Sequence, residues 1–235
     1  MKSLLLKTSA IAALVLSTGV QAAPITINSI AADWFPTELT NGAPASYINT
    51  DGIAGNEEIR WGSPIFSQNS GYRFDSGVVP NAVETNDEFS LGEFTHFNFP
   101  VYEPTLASAT LNIAMNITLG NGEILDKTFK FLFNHTETPN SSNHSCCNDL
   151  VSINSVSSSD VFNIGGVSYT LDLTGFKIGA STVSNFETIE NKINTASLIG
   201  VLTEQTNTDV PEPAPLLLLG LGLIGLVGAR RYKTK

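Results

Sequence analysis

From Ala109 to Leu119 every second residue is apolar: Ala109, Leu111, Ile113, Met115, Ile117 and Leu119, with Thr110, Asn112, Ala114, Asn116 and Thr118 between them. A period of two over that length is the signature of a β-strand with one face in a core and the other in water. Gly120-Asn121-Gly122 follows, and Leu125, Phe129, Phe131 and Phe133 take the alternation up again. The two runs therefore form a hairpin, and its register follows from which faces must coincide. A two-residue turn at Asn121-Gly122 sets Ile117 against Asp126 and Met115 against Thr128. A three-residue loop centred on Gly122, with a glycine bulge, pairs Met115 with Phe129, Ile113 with Phe131 and Leu111 with Phe133. The second register is the predicted one, because a slip of one residue turns a strand's faces over. It leaves Lys127 opposite Ile117, near the hairpin tip.

A second hairpin is written around Gly165-Gly166, a pair suited to the positive φ angles of a two-residue turn. It places Ile164 opposite Val167 and Phe162 opposite Tyr169. Further strands are predicted at Ile25–Ile30, Glu58–Trp61, Gly71–Asp75, Phe89–Phe94, Leu150–Ile153 and Ser197–Thr203. No helical period is sustained between the chain ends, and no internal repeat occurs. Many short strands with Gly, Pro and Asn turns predict an all-β domain over residues 23–205, an antiparallel β-sandwich of jelly-roll type.

The formal charge is −10 over 235 residues, but its distribution is uneven. Between residues 23 and 209 there are six basic residues against twenty-one carboxylates. A surface that acidic repels phosphate backbones and anionic lipid headgroups, which argues against nucleic-acid binding. Cations and neutral glycans are the compatible partners, and the acidity also keeps an exported domain soluble.

The two ends carry different instructions. Lys2 and Lys7, the apolar stretch Ala10 to Leu16 and the small-residue site Val20-Gln21-Ala22 read as a secretory signal over residues 1–22, cleaved after Ala22. Residues 206–213 form a linker ending in Val210-Pro211-Glu212-Pro213. Residues 214–235 hold an apolar run to Ala229 and then Arg230, Arg231, Lys233 and Lys235. Sixteen apolar residues span about 24 Å as a helix, enough for a short single transmembrane helix with its basic end in the cytoplasm.

The order Pro-Glu-Pro, apolar span, Arg-Arg resembles the PEP-CTERM sorting signal, carried here by Pro211, Glu212, Pro213, Arg230 and Arg231. That resemblance implies export through the Sec translocon and a transient stay in the inner membrane. An exosortase of a Gram-negative, polysaccharide-making bacterium would then process the tail, leaving the domain at the outer surface or in the extracellular matrix. Thr95-His96-x-Asn98 followed by Pro100 resembles the THxN family of PEP-CTERM proteins. Ile59-Arg60-Trp61-Gly62, Ser70-Gly71-Tyr72-Arg73-Phe74, Glu137-Thr138-Pro139-Asn140, Phe186-Glu187-Thr188-x-Glu190 and Asn194-Thr195-Ala196 belong to the same pattern. The family supplies no activity to carry over.

Read as residues alone, Thr95 and Asn98 are spaced to close a turn before Pro100. A buried His96 can hold two loop carbonyls or hydroxyls together, and ligand, metal and catalytic roles stay open for the same ring. Glu93, Glu137 and Asp149, among loop amides, are candidate ligands of an oxygen-rich calcium site, although no D-x-D-x-D-G loop is present. Cys146 and Cys147 are adjacent and are the only cysteines. In an exported chain they form either a disulfide ring with each other or bridges between molecules. They lack the spacing of a zinc knuckle, and His135 and His144 are too scattered to supply one.

Trp34, Trp61, Tyr47 and Tyr72 either stack on sugars or fill the core. No G-x-S-x-G, H-E-x-x-H or phosphate-loop motif is present. The expected function is a non-enzymatic surface or matrix protein, with no cofactor beyond the calcium candidate, binding exopolysaccharide or another surface partner. The alternative is a secreted glycan-active hydrolase using paired carboxylates.

Overall fold

A computed structural model of the chain describes residues 25–48, 57–79, 82–139, 148–154, 161–164 and 167–205. The signal segment with Ala22, the Cys146–Cys147 pair, the Gly165-Gly166 turn, and the tail with Pro211, Glu212, Pro213, Arg230 and Arg231 lie outside the described residues. So does the transmembrane helix expected after residue 213.

The described residues are all-β and contain no helix. In chain order the strands begin with β1 (Thr26–Leu39), β2 (Ser46–Ile48), β3 (Glu58–Trp61), β4 (Ser63–Pro64) and β5 (Ser70–Ser76). They continue with β6 (Glu88–Asn98), β7 (Val101–Tyr102), β8 (Leu106–Thr118), β9 (Ile124–Thr136) and β10 (Asp149–Ile153). The last five are β11 (Phe162–Ile164), β12 (Val167–Ile178), β13 (Ser181–Val183), β14 (Asn185–Thr188) and β15 (Lys192–Gln205). One sheet has the order β1-β8-β9-β10-β14, and a larger one the order β11-β12-β15-β6-β5-β3-β2, with β13 paired to β12. A short ribbon joins β4 to β7. All the pairings are antiparallel, and the sheets form a half-barrel round one apolar core.

The long hairpin has the predicted faces and loop length but a different register. Leu111 pairs with Phe131, Ile113 with Phe129 and Ala109 with Phe133, so Met115 faces Lys127 and Ile117 faces Leu125. The three-residue loop is Gly120-Asn121-Gly122, closed by Leu119 N–H on the Glu123 carbonyl at 2.8 Å. Gly122 has φ 85°, so the glycine occupies the last, left-handed position of the loop rather than its centre. Moving the loop back by one residue shifts every cross-strand pair by two, which preserves the faces. The second hairpin pairs Phe162 with Tyr169 and Ile164 with Val167, as predicted.

At the centre of the core, Phe94 on β6 stacks on Phe133 of β9 at 5.7 Å between ring centroids. Trp34, Tyr72, Phe176 and Phe186 surround this pair. The ring contacts cross between the sheets, so the aromatic stack is what holds one against the other. Removing the central ring should therefore cost much more than disturbing the hairpin tip. Phe94→Ala is expected to lose about 3–5 kcal/mol of stability. Gly122→Ala, whose new methyl meets no atom within 4 Å, is expected to lose about 1 kcal/mol through its φ angle alone. Urea unfolding of the two variants checks this ordering.

Candidate functional site

Five strands end their inward stripe in the same way. Moving two residues along each, Phe74 gives way to Tyr72, Phe94 to His96, Phe133 to His135, Val151 to Asp149 and Phe186 to Thr188. All ten side chains are buried. Because a two-residue step keeps a side chain on the same face, the apolar core passes into a polar layer at one end of the half-barrel. Register brings the layer together: Tyr72 lies opposite His96, and Asp149 opposite Thr188. Asn98, one step beyond His96, joins it.

Hydrogen bonds from His96, Asn98 and Tyr72 run between the two sheets, and the others brace residues within one. Thr188 Oγ1 lies 3.2 Å from the Asp149 carbonyl, to which it donates its single proton. With that proton committed, the matching assignment has His96 Nδ1–H donating to the hydroxyl at 2.8 Å, the tautomer in which Nε2 carries a lone pair. Asn98 Nδ2 donates to the Thr188 carbonyl at 3.0 Å. The Tyr72 hydroxyl and His135 Nδ1 are 2.7 Å apart, and His135 Nε2 lies 3.2 Å from Glu137 Oε2 and 3.8 Å from Asp149 Oδ2. The Thr138 N–H and hydroxyl both donate to Asp149 Oδ1, at 2.9 and 3.1 Å. Asn194, opposite His96 on β15, exchanges two hydrogen bonds with the Ile189 backbone and fastens the turn that carries Glu190. Trp61 lies almost parallel to His96 at 5.9 Å and edge-on to His135 at 5.2 Å.

After these bonds are formed, His96 Nε2, Asp149 Oδ2, Asn98 Oδ1 and both Glu190 carboxylate oxygens have no hydrogen-bond partner. Each orphaned buried polar atom costs about 1–3 kcal/mol. The electrostatics agree. Burial, helped by nearby Glu137, pushes Asp149 up to about 6, and burial with Asp149 and Glu137 pushes Glu190 up to about 7. Burial holds His135 down to about 4 and His96 well below its ordinary value. Raised carboxyls destabilise the fold as pH rises through their folded values, and lowered imidazoles do so as it falls. The layer thus resists charge of either sign.

Several residues singled out in the sequence meet here, and others do not. His96 is buried, but it bridges strands rather than loops, and Thr95 to Asn98 continue β6 without a turn. Thr95 points to the opposite face of β6. Pro100 follows the strand, its carbonyl accepting from Ile65 N–H at 3.0 Å. Of the calcium candidates, Glu137 and Asp149 come together at His135, while Glu93 is exposed on the opposite face of β6 from His96. His135, read as isolated in the sequence, lies 5.2 Å from His96 between ring centroids. The signal for His135 was one further step of the Phe129-Phe131-Phe133 alternation. Thr188 and Glu190 were marked only by the resemblance of Phe186-Glu187-Thr188-x-Glu190, because β14 is four residues long and Glu190 lies in the turn beyond it. Trp34, Trp61 and Tyr72 are core residues, and Tyr47 is half-buried with its hydroxyl on Thr37.

Against known families, the PEP-CTERM protein-sorting motif matches residues 209–231. No curated protein matches the chain. The matched segment implies export to the cell surface through an exosortase. The layer described above belongs to the part of the chain outside that match.

The Thr188 hydroxyl is the junction of the layer, so its loss and its retention should differ sharply. Thr188→Val keeps the shape but strands His96 Nδ1–H and the Asp149 carbonyl, at an expected cost of about 2–4 kcal/mol. Thr188→Ser keeps the hydroxyl and should cost less than about 1 kcal/mol. Chemical denaturation of the pair measures the difference.

Proposed function

We propose that the chain is an exosortase substrate of the THxN type, displayed outside a Gram-negative cell. Residues 23–205 act there as a non-enzymatic β-sandwich that binds exopolysaccharide. The observation that carries this reading is the sorting motif at residues 209–231. The THxN resemblance gains support from the convergence of its scattered segments. Trp61, Tyr72, His96, Asn98, Glu137, Thr188 and Glu190 come from distant parts of the sequence and meet in one layer.

The non-enzymatic reading is supported by where the reactive groups lie. Asp149, Glu137 and Glu190 are carboxylates that act on one another, and Asp149 and Glu190 are buried. A glycoside hydrolase needs two carboxylates on either side of a sugar ring in an open groove. Among the described residues the exposed aromatic rings are Phe66, Tyr102 and Phe35, and the first two, 66% and 63% exposed, lie near the β4–β7 ribbon. A groove of about 260 Å³ beside Tyr102 is lined by Glu103, Thr105, Glu137 and Thr138 among others, offering polar partners to hydroxyl groups.

Two measurements test the proposal. The intact mass of protein recovered from outside its native host should end near Pro213, whereas retention of Ala214 to Lys235 contradicts processing. Tyr102→Ala should weaken binding to the host's exopolysaccharide by about tenfold in a pull-down or calorimetric titration, in line with the loss of one stacking ring. Unchanged binding contradicts the assignment of that face.

A further inference from the structure

We propose that His96 Nε2, His135 Nε2 and Asp149 Oδ2 bind a divalent transition-metal ion of the zinc class inside the polar layer, with Glu137 or Glu190 as the fourth ligand. One ligand atom from each of these three residues lies within 4.8 Å of the other two, and all three residues are buried. Tetrahedral ligands at about 2.1 Å from zinc are about 3.4 Å apart, so the 3.8 Å between His135 Nε2 and Asp149 Oδ2 needs little adjustment.

The decisive feature is a group of buried side-chain atoms from several strands left without hydrogen-bond partners. His96 Nε2 is stripped of its proton by the bond at Nδ1, Asp149 Oδ2 has no partner, and neither does Asn98 Oδ1 or the Glu190 carboxylate. A cation held by His96, His135 and Asp149 supplies the partner that His96 Nε2 and Asp149 Oδ2 lack. Each ligand is also already oriented through its other atom: His96 Nδ1 on Thr188, His135 Nδ1 beside Tyr72 and Asp149 Oδ1 on Thr138. Metal-bound histidines and carboxylates are habitually braced in this way.

Without metal, the Tyr72 hydroxyl donates to His135 Nδ1 and His135 Nε2–H points at Glu137. Binding moves that ring proton to Nδ1, which then donates to the Tyr72 oxygen, and Nε2 turns its lone pair on the metal. The imidazole stays neutral throughout. Two imidazoles in the set select zinc, cobalt or nickel over calcium and magnesium, which want oxygen alone. The groove lined by Glu137 and Thr138 brings solvent to the two residues that bond His135 and Asp149.

The test is metal analysis of the full-length chain, loaded with zinc and dialysed into metal-free buffer. Elemental mass spectrometry should find about one zinc per chain. Asp149→Asn and His96→Ala should lower retention at least about tenfold, while Glu93→Gln on the outer face retains zinc fully. If a ligand variant fails to fold, cobalt added to the chelator-stripped wild-type chain keeps the question open to an answer. A strong visible d–d absorption, reversed by zinc, supports the site. Wild-type chain that retains no transition metal and shows no cobalt band overturns it, leaving a layer bridged by water. Retention of calcium in place of zinc, or zinc retention unaltered in a folded Asp149→Asn chain, also overturns it.

Discussion

One hydroxyl group, that of Thr188, decides how the polar end of this domain is wired. It sits on the five-stranded sheet and accepts a hydrogen bond from His96 on the larger one, while donating one to the carbonyl of Asp149. Asn98 donates to the carbonyl of Thr188 itself, and Tyr72 spans the gap again to His135. The links from His96, Asn98 and Tyr72 all cross from sheet to sheet. Apolar packing is indifferent to small slides of one sheet over another, but a set of directed bonds is satisfied at one placement only. The polar layer therefore fixes the alignment that the aromatic stack stabilises.

That arrangement has an energetic cost, and its size is informative. Replacing buried polar groups by well-packed apolar ones is often neutral or stabilising. Here the stripe on five strands changes from apolar or aromatic to polar within one two-residue step, as if the core had been designed to stop. Orphaned acceptors on His96, Asp149 and Glu190 add to the cost. A domain displayed outside the cell cannot rely on the cell's chaperones, so a tightly specified interior fits that setting. The aromatic rings of Trp61 and Tyr72 wall the layer, keeping it dry enough for each charge and each bond to count.

How much of this was written legibly in the sequence depends on the range of the interaction. The faces of β8 and β9 were legible because their period of two is unbroken. Their register was off by two because Gly122 fills the third position of its loop, a matter of φ angle that alternation does not encode. β1 extends to Leu39, well past the predicted Ile30, because register shifts between Ile27 and Ser29 and between Trp34 and Thr37 break the alternation. His96 and Asn98 were singled out as residues, yet the role imagined for their segment was a turn. The layer itself was illegible for a simpler reason. His96 and Thr188 are 92 residues apart, and Tyr72 and His135 are 63 apart, so nothing local announces that they meet. A polar residue two positions beyond a buried ring on five separate strands is the nearest thing to a signal. It becomes one only when the strands are laid side by side.

The most direct measurement of the central claim is the protonation of His96 in the chelator-treated protein, read from long-range nitrogen–proton NMR correlations of the imidazole ring. The chain has three histidines, so the assignment is short. The expected result is a neutral ring with its proton on Nδ1 and an unprotonated Nε2, held there by the Thr188 hydroxyl across the sheets. A ring protonated at Nε2, or one that charges near its ordinary value, contradicts the wiring of the polar layer and removes the lone pair on which the metal site is built.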